Sequence, residues 1–312
     1  MEPMTGAPVL AQHLGEDFAL YNVDTVEFTA AMPSASVDFS VYSPPFSSLY
    51  IYSESARDMG NVAGDEEFFE TYRCLIREKL RVTRPGRLTA IHVKDLVYYS
   101  NSSANGDRGL RDFTGACIRA HIEEGWTFHG RVTVWRDPVR EMQKAKPDGL
   151  LFKNFRTDAA RVRFGLPEYV VTFRKWASGM DDTPAVTHDT DEFPLEVWQR
   201  WASPVWMDCR ETDVINARLA RDPEAEKHLC PMPLDLTERL VRLYSRRGET
   251  VYSPFMGVGS EGVVALKCGR RFVGTELKPS YYAQACKEVD HAAETYAGGT
   301  LFDRAADAEA AA

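Results

Sequence analysis

The 312-residue sequence contains no run of 18 or more consecutive apolar residues, and its first sixteen residues hold no basic segment followed by an apolar one. The first absence argues against a membrane-spanning helix, and the second argues against a secretory signal. The six cysteines are scattered and form no Cys-x-x-Cys pair, so neither a disulfide framework nor a structural zinc site is expected. We therefore expect a soluble, cytoplasmic protein.

The composition excludes several other classes of protein. Glycine (21 residues) and proline (17 residues) occur at ordinary levels, which excludes collagen-like and low-complexity chains. Hydrophobic residues make up 44% of the chain and aromatic residues 11%, which is enough to form a sizeable core. At this length we expect one large domain, or one domain with a substantial insertion.

Charge is distributed unevenly along the chain. The net charge is −9, but residues 131–175 contain eleven Lys and Arg against five Asp and Glu, whereas residues 177–226 contain four Arg against twelve acidic residues. A basic block of this kind either contacts nucleic-acid phosphates or forms an ordinary solvated surface. The charge pattern alone leaves both interpretations open.

Hydrophobic periodicity predicts an alternation of strands and helices. Strands are predicted at residues 18–23, 37–42, 88–93, 128–135, 169–173, 249–252 and 272–275. Helices are predicted at residues 65–82, 110–124, 234–244 and 261–267, with Pro85-Gly86 ending the first of them. The alternation indicates an α/β fold in which helices flank a parallel sheet. Residues 175–227 lack clear periodicity and are interpreted as an insertion.

A glycine-rich turn, residues 253–260, lies between a predicted strand and a predicted helix. Gly257 and Gly259 would let backbone N–H groups approach a ligand, although two glycines can also mark a simple turn. Glu276 ends the next predicted strand, seventeen residues after Gly259, where an acid can accept hydrogen bonds from a ribose diol. The combination favours a nucleoside with a small charged group, either S-adenosylmethionine (SAM) or a dinucleotide.

The tetrapeptide Ser43-Pro44-Pro45-Phe46 directly follows another predicted strand. The prolines rigidify the turn and remove two N–H donors, so the serine oxygen and the Pro44 carbonyl could accept both hydrogens of a planar amino group. Phe46 could stack on the ring that carries this amine. Alternatively, the motif only ends a strand and places an aromatic residue in the core.

Together, the two motifs resemble those of the DNA amino-methyltransferases, which methylate the exocyclic nitrogen of adenine (N6) or cytosine (N4). Residues 43–46 resemble the catalytic (D/N/S)PP(Y/F/W) motif, and residues 255–259 resemble the FxGxG turn that binds SAM. The order of the motifs resembles that of the permuted β group, and residues 253–262 resemble phage- and prophage-type members. Further similarities, at residues 22–24, 83–86, 125–138 and 228–233, extend the resemblance over about residues 18–290.

The resemblance implies a Rossmann-like, SAM-dependent methyltransferase fold with a mainly parallel twisted sheet, the permuted motif order and an inserted target-recognition region. It implies a catalytic half over residues 1–135, a basic DNA-proximal segment with the recognition insertion over 136–227, and a SAM-binding half over 228–312. In two places the sequence departs from the family pattern. Ser253 replaces the Asp expected near the SAM ammonium group, for which Asp24 or Glu261 could compensate, and Met232 replaces the Lys of the HPxxKP-type element.

The resemblance also implies roles for individual residues. The expected catalytic residues are Ser43, Pro44, Pro45 and Phe46. The expected cofactor-binding residues are Asp24, His228, Ser253, Phe255, Gly257, Gly259, Ser260, Glu261 and Glu276. The expected DNA-binding residues are Arg57, Arg136, Arg140, Lys144, Lys146, Lys153, Arg156, Arg161 and Arg163. His92 and Cys230 are interpreted as structural, and no metal ligands are expected.

The implied reaction is direct methyl transfer from SAM to the amine of a base flipped out of double-stranded DNA. Serine at the first motif position favours cytosine N4, and adenine N6 stays open. Methylation of an RNA amine or a protein amide stays open too, as does an inactive SAM- or DNA-binding regulator. The expected setting is a bacterial or phage-infected cell, and the sequence leaves open a homodimer, a companion restriction enzyme and the recognition sequence.

Overall fold

A computed structural model describes residues 9–46, 59, 64–100, 103, 105–145, 152–161, 164–177, 183–188, 190, 193–215 and 231–296. Its sheet strands are β1 (Ala11–Leu14), β2 (Phe18–Asn22), β3 (Val37–Tyr42), β4 (Thr83–Val93), β7 (Thr127–Val134), β8 (Glu168–Arg174), β9 (Val205–Trp206), β10 (Thr250–Ser253) and β11 (Arg271–Glu276). A separate small hairpin pairs β5 (Leu96–Tyr98) with β6 (Gly109–Arg111).

The nine sheet strands lie in the order β1-β2-β11-β10-β3-β4-β8-β7-β9. The five central strands from β2 to β4 are parallel to one another, which confirms the predicted mainly parallel sheet. At the margins, β1 is antiparallel to β2, and β8 is antiparallel to both β4 and β7. The amino end of β8 therefore lies at the same edge of the sheet as the carboxyl end of β4.

Nine helices occur among the described residues. They are α1 (Thr25–Ala31), α2 (Asp65–Val82), α3 (Phe113–Glu123), α4 (Pro138–Ala145), α5 (Phe152–Thr157), α6 (Leu195–Trp201), α7 (Leu234–Tyr244), α8 (Ser260–Lys267) and α9 (Pro279–Tyr296). A short 3-10 turn covers Ala159–Arg161. Among the described helices, none combines the length and the apolar character needed to cross a membrane.

Helices cover both faces of the sheet, and the central strands are buried on both sides. In β3, Phe39 and Val41 share one core cluster with Leu240 of α7, whereas Tyr42 shares another with Phe68 of α2. Successive side chains of a strand point to opposite faces, so this division shows that the two faces of β3 meet two different helical layers. Double burial explains why these strands appear in the sequence as short continuous apolar runs.

The start of β4 differs from the sequence prediction. Pro85-Gly86 was expected to end α2, but α2 ends at Val82 and both residues lie inside β4. The pairing of β3 with β4 shifts between Val37 and Phe39, and Gly86 adopts a φ of 76°. An irregularity of this kind accommodates a proline within a strand, because the ladder is interrupted where the N–H is missing.

The described part of residues 175–227 is partly built into the sheet. It contains α6 and β9, and β9 pairs parallel to β7 at the edge of the sheet. Trp201 and Trp206 are buried, and the Trp206 indole N–H donates to the Trp201 carbonyl at 2.9 Å. This segment therefore contributes to the core, while its role in target recognition and the three-part division of the chain stay predictions.

Candidate active site

The carboxyl edge of the parallel strands gathers the residues singled out by the sequence. Asp24 follows β2, Glu276 ends β11, residues 253–260 follow β10, and the tetrapeptide 43–46 follows β3. Because β10 pairs with both β3 and β11, the glycine turn lies between the tetrapeptide and Glu276. In open α/β sheets, ligands bind in the crevice outside this edge.

The two glycines of the turn are required for different reasons. Gly257 (φ 55°) and Gly259 (φ 97°) both adopt the left-handed conformation that side chains disfavour. A Cβ on Gly257 would meet no atom within 4 Å, so its backbone borders open space. A Cβ on Gly259 would lie 3.2 Å from the Ala285 backbone of α9. The Gly257 backbone therefore faces open space, and Gly259 lets α9 pack closely.

Glu276 is anchored by the turn that it faces. Its carboxylate accepts hydrogen bonds from the Gly257 N–H at 3.0 Å and from the Lys278 N–H at 2.8 Å. The side-chain amide of Asn22 donates to the carbonyls of Glu276 and Leu277 at 2.7 and 2.9 Å. A carboxylate has about four lone-pair sites and can therefore accept several hydrogen bonds at once.

Ser253 and Glu261 are buried beneath the turn. The pKa of the Glu261 carboxyl is raised to about 8, chiefly by burial and also by the nearby charge of Glu276, while its own N–H and the Ser253 hydroxyl act in the opposite direction. Asp24 is the N-cap of α1 and accepts from the N–H groups of Val26 and Glu27 at 2.9 and 3.0 Å. Of the two acids proposed to replace the carboxylate missing at 253, only Asp24 has a structural task in capping a helix.

The tetrapeptide lies partly in the core. Pro44 is buried, whereas Ser43, Pro45 and Phe46 are half-buried. The Phe46 ring packs against the ring of Phe113, with 6.2 Å between centroids. Phe46 thus has the core contact that a purely structural motif would show, and it also keeps a surface for a ligand.

Ser43 has a partner that the sequence interpretation missed. Its hydroxyl oxygen lies 3.2 Å from Nδ1 of His92, and Nε2 of His92 lies 2.7 Å from a carboxylate oxygen of Glu168. Burial alone would raise the pKa of Glu168, but His92 and Arg136 together hold it well below its usual range. The signal that could have pointed to this contact is the position of His92 near the end of the strand next to the tetrapeptide.

The environment of Arg136 differs from the one that the sequence interpretation expected. It was expected to contact DNA phosphate, but its side chain is buried and forms an ion pair with Glu168, with Glu211 at 3.8 Å. A guanidinium group held by two carboxylates in the interior is not available to DNA. It instead stabilises the acidic partner of His92.

The other residues of the predicted DNA surface are described to different extents. Arg140 in α4 and Arg156 in α5 are exposed. The structure places Lys144 in α4, Lys153 in α5 and Arg161 in the 3-10 turn, and it describes only the backbone of these three residues. The predicted site residues that lie outside the described residues are Arg57, Lys146, Arg163 and His228.

Comparisons with known proteins identify a family and several similar sequences and structures. The N6/N4 methyltransferase family model, described as DNA methylase, matches residues 37–287. The type II methyltransferase M1.MboII of Moraxella bovis is 23% identical over 275 residues, which are 85% of this chain and 94% of that protein.

Two solved structures share the fold. TTHA0409 of Thermus thermophilus, described as a DNA modification methylase and complexed with S-adenosyl-L-methionine, superposes with a TM-score of 0.59 at 23% identity, over 85% of this chain and 93% of its own. The cytosine-N4-specific PvuII DNA methyltransferase superposes with a TM-score of 0.60 at 16% identity, over 88% of this chain and 86% of its own. These likenesses confirm the predicted fold class.

The family match begins at the strand before the tetrapeptide and extends through the glycine turn and Glu276 into α9. It therefore includes both motifs on which the resemblance was based, in the order in which the sequence presents them. The chain belongs to the DNA methylase family of N6- and N4-methyltransferases.

Proposed function

We propose that this protein transfers a methyl group from SAM to the exocyclic amine of a base flipped out of duplex DNA, with cytosine N4 as the target. The observation that carries the proposal is the juxtaposition of the tetrapeptide 43–46 and the glycine turn 253–260 at one sheet edge. One motif suits an amine and the other a nucleoside, so the arrangement can bring two reactants together.

The residues at the glycine turn fit SAM. Glu276 would accept hydrogen bonds from the ribose hydroxyls, and the open space at Gly257 would receive the part of the cofactor that crosses the turn. The cofactor's ammonium group would favour ionisation of the Glu261 carboxyl and pair with it, in place of the carboxylate that Ser253 lacks. SAM, when bound, supplies a methyl group on a positively charged sulfur.

The tetrapeptide would activate the amine. Its nitrogen is a poor nucleophile because the lone pair is delocalised into the ring. Hydrogen bonds from its two N–H groups to Ser43 Oγ and the Pro44 carbonyl would favour a more tetrahedral nitrogen whose lone pair is directed at the methyl group. Phe46 would stack on the flipped base. Direct transfer of this kind needs no covalent enzyme–base intermediate.

One observation favours cytosine N4 over adenine N6. It is Ser43 itself, since serine before Pro-Pro is the form that resembles the cytosine enzymes. Adenine N6 remains the alternative, because the chemistry of the two amines is similar.

The exposed side chains of α4 and α5 suit the DNA backbone. Arg140 and Arg156 are exposed there, and Phe152 and Phe155 of α5 are 72% and 65% exposed. Exposed cations beside exposed aromatic rings are typical of surfaces that contact nucleic acid. The homodimer and the recognition role of residues 175–227 belong to the same proposal and rest on the family resemblance.

Methyl incorporation tests the proposal directly. The protein would be incubated with radiolabelled SAM in three separate reactions. These contain unmethylated duplex DNA, RNA or a protein mixture. We expect label in DNA, and Phe46→Ala should weaken transition-state binding by about 1–3 kcal/mol while leaving SAM binding near normal. Label only in RNA or protein would overturn the DNA assignment, and loss of SAM binding in the variant would mean that the base pocket lies elsewhere.

A further inference from the structure

We infer that His92, oriented by Glu168, is a positioning residue for Ser43 and receives the proton that the methylated amine releases. This inference rests on the proposed function, because it concerns the amine bound at Ser43. The observations that support it are the hydrogen bonds around the Ser43 hydroxyl group.

Ser43 has one hydroxyl hydrogen, and its direction decides what the oxygen can accept. To receive an N–H from the amine, the hydroxyl must give its own hydrogen to another acceptor. Nδ1 of His92, at 3.2 Å, lies within hydrogen-bond distance. It can accept only if the imidazole carries its hydrogen on Nε2, because a protonated Nδ1 would itself be a donor.

Glu168 selects this form of His92. A carboxylate accepts but does not donate, and it lies 2.7 Å from Nε2, so the imidazole hydrogen is held on that side. Arg136, from the segment after β7, contacts the same carboxylate and keeps it ionised, and Glu211, from the segment after β9, lies behind Arg136. Among the described residues, Arg136 and Glu211 are the charged groups that follow Glu168 in the chain of contacts starting at Ser43.

The same contacts provide a route for the proton. In the transfer, the amine lone pair forms the N–C bond as the methyl C–S bond breaks, and the C–S electron pair stays on sulfur. The nitrogen is left with a positive charge and a hydrogen to lose. That hydrogen passes to Ser43 Oγ while the hydroxyl hydrogen passes to Nδ1 of His92, which restores the serine. The resulting imidazolium lies against ionised Glu168, and the His92 side chain, 11% exposed, can release the proton to water.

The chain supplies a matched control for this pair. Nε2 of His13 lies 2.7 Å from a carboxylate oxygen of Asp290, so the contact has the same length as that of His92 with Glu168. His13 lies on β1, the strand at one margin of the sheet, and its recorded partners are Asp290 and the ring of Phe18. Replacing His13 therefore removes a comparable histidine–carboxylate pair without touching the tetrapeptide.

The first test is spectroscopic and uses the protein without ligands. In ¹⁵N NMR, His92 should show hydrogen on Nε2 and an accepting Nδ1, and Ser43→Ala should shift the Nδ1 signal while leaving the His13 signals unchanged. A merely structural histidine would not respond to loss of the serine hydroxyl in this way. Hydrogen on Nδ1 of His92 in the wild type would overturn the inference.

The second test measures the single-turnover rate of DNA methylation. His92→Asn keeps an oxygen that can accept from Ser43 but cannot take up a proton, so we expect a loss on the order of 10²-fold. Glu168→Gln should lower the rate less, and His13→Asn should match the wild type.

SAM binding to each variant, measured by calorimetry, reports whether the fold is intact. If His92→Asn binds SAM normally and methylates DNA with the wild-type rate, the inference is wrong and the proposed function stands. If the wild-type protein methylates no DNA, the proposed function fails, and the inference fails with it. The two failures are therefore distinguishable.

Discussion

Gly257 and Gly248 have similar conformations but lie at opposite ends of β10. Both have a positive φ, 55° and 74°, and a Cβ on either residue would meet no atom within 4 Å. Gly257→Asp should abolish SAM binding, because the new carboxylate would occupy the open space where the cofactor is proposed to cross the turn. Gly248→Asp imposes a comparable backbone cost far from the site and should bind SAM normally. Calorimetric titration of both variants tests the pair, and intact binding by Gly257→Asp would exclude the turn as the SAM site.

The raised pKa of Glu261 predicts a dependence of stability on pH. Its carboxyl titrates near pH 8 in the folded chain and near 4.5 in the unfolded chain, so the folded state holds a proton that the unfolded state releases between these values. The free energy of unfolding should therefore fall as pH rises through this window. Glu261→Gln removes the titration, and its melting temperature should exceed that of the wild type more at pH 9 than at pH 5. An equal difference at both pH values would contradict the buried, protonated carboxyl.

Among single residues, the sequence predicted the site residues that lie within contiguous motifs. It missed the contacts between residues that are distant in the chain and meet only in the folded sheet. The tetrapeptide and the glycine turn are contiguous, so their chemistry can be recognised without a structure. His92 and Glu168 are 76 residues apart, and they meet only because β8 runs antiparallel to β4. The burial of Arg136 depends on the same reversal, which hydrophobic periodicity does not reveal.

Among the elements, α8 depends on Gly262, for which the sequence interpretation predicted no packing role. A Cβ on Gly262 would lie 2.8 Å from the Phe272 ring of β11 and 2.9 Å from Val289 of α9. Alanine normally favours a helix over glycine, but here the added methyl would force apart two packed elements. Gly262→Ala should therefore lower the free energy of unfolding by about 1–3 kcal/mol.

Chemical denaturation measures this loss, with Gly130→Ala as the control. A Cβ on Gly130 would lie 3.5 Å from the Thr172 hydroxyl oxygen, an ordinary contact, so that variant should be near neutral or slightly more stable. Equal stabilities for the two variants would contradict the close packing described for α8.

The boundaries of elements were predictable where the apolar pattern is strong. The prediction for α7 matches its observed bounds, because its apolar stripe covers its whole length. The start of β4 was missed because a bulge tolerates the Pro-Gly pair that usually ends a regular element. The short helix α1 and the helix α9 did not enter the prediction, although α9 closes against the glycine turn through Gly259.

At the scale of the whole molecule, the proposed function requires an acidic protein to bind DNA. A net charge of −9 repels a polyanion, so binding must depend on a local basic surface and should weaken steeply with salt. Arg140→Ala and Arg156→Ala should each reduce the slope of log K against log salt by about 1. Arg271→Ala removes an exposed cation at the opposite edge of the sheet and should leave the slope unchanged. Fluorescence anisotropy over a salt series measures the slopes, and a wild-type slope in both test variants would remove α4 and α5 from the DNA surface.

If the tetrapeptide supports methylation of an exocyclic amine in DNA, the modified base is the most direct record of the reaction. Unmethylated duplex DNA would be incubated with the protein and SAM, digested to nucleosides and analysed by mass spectrometry. We expect N4-methylcytosine in the wild-type sample and much less with Phe46→Ala at matched times. N6-methyladenine would contradict the choice of base while retaining the reaction. The absence of both products on DNA of varied sequence would contradict the proposed methylation of DNA.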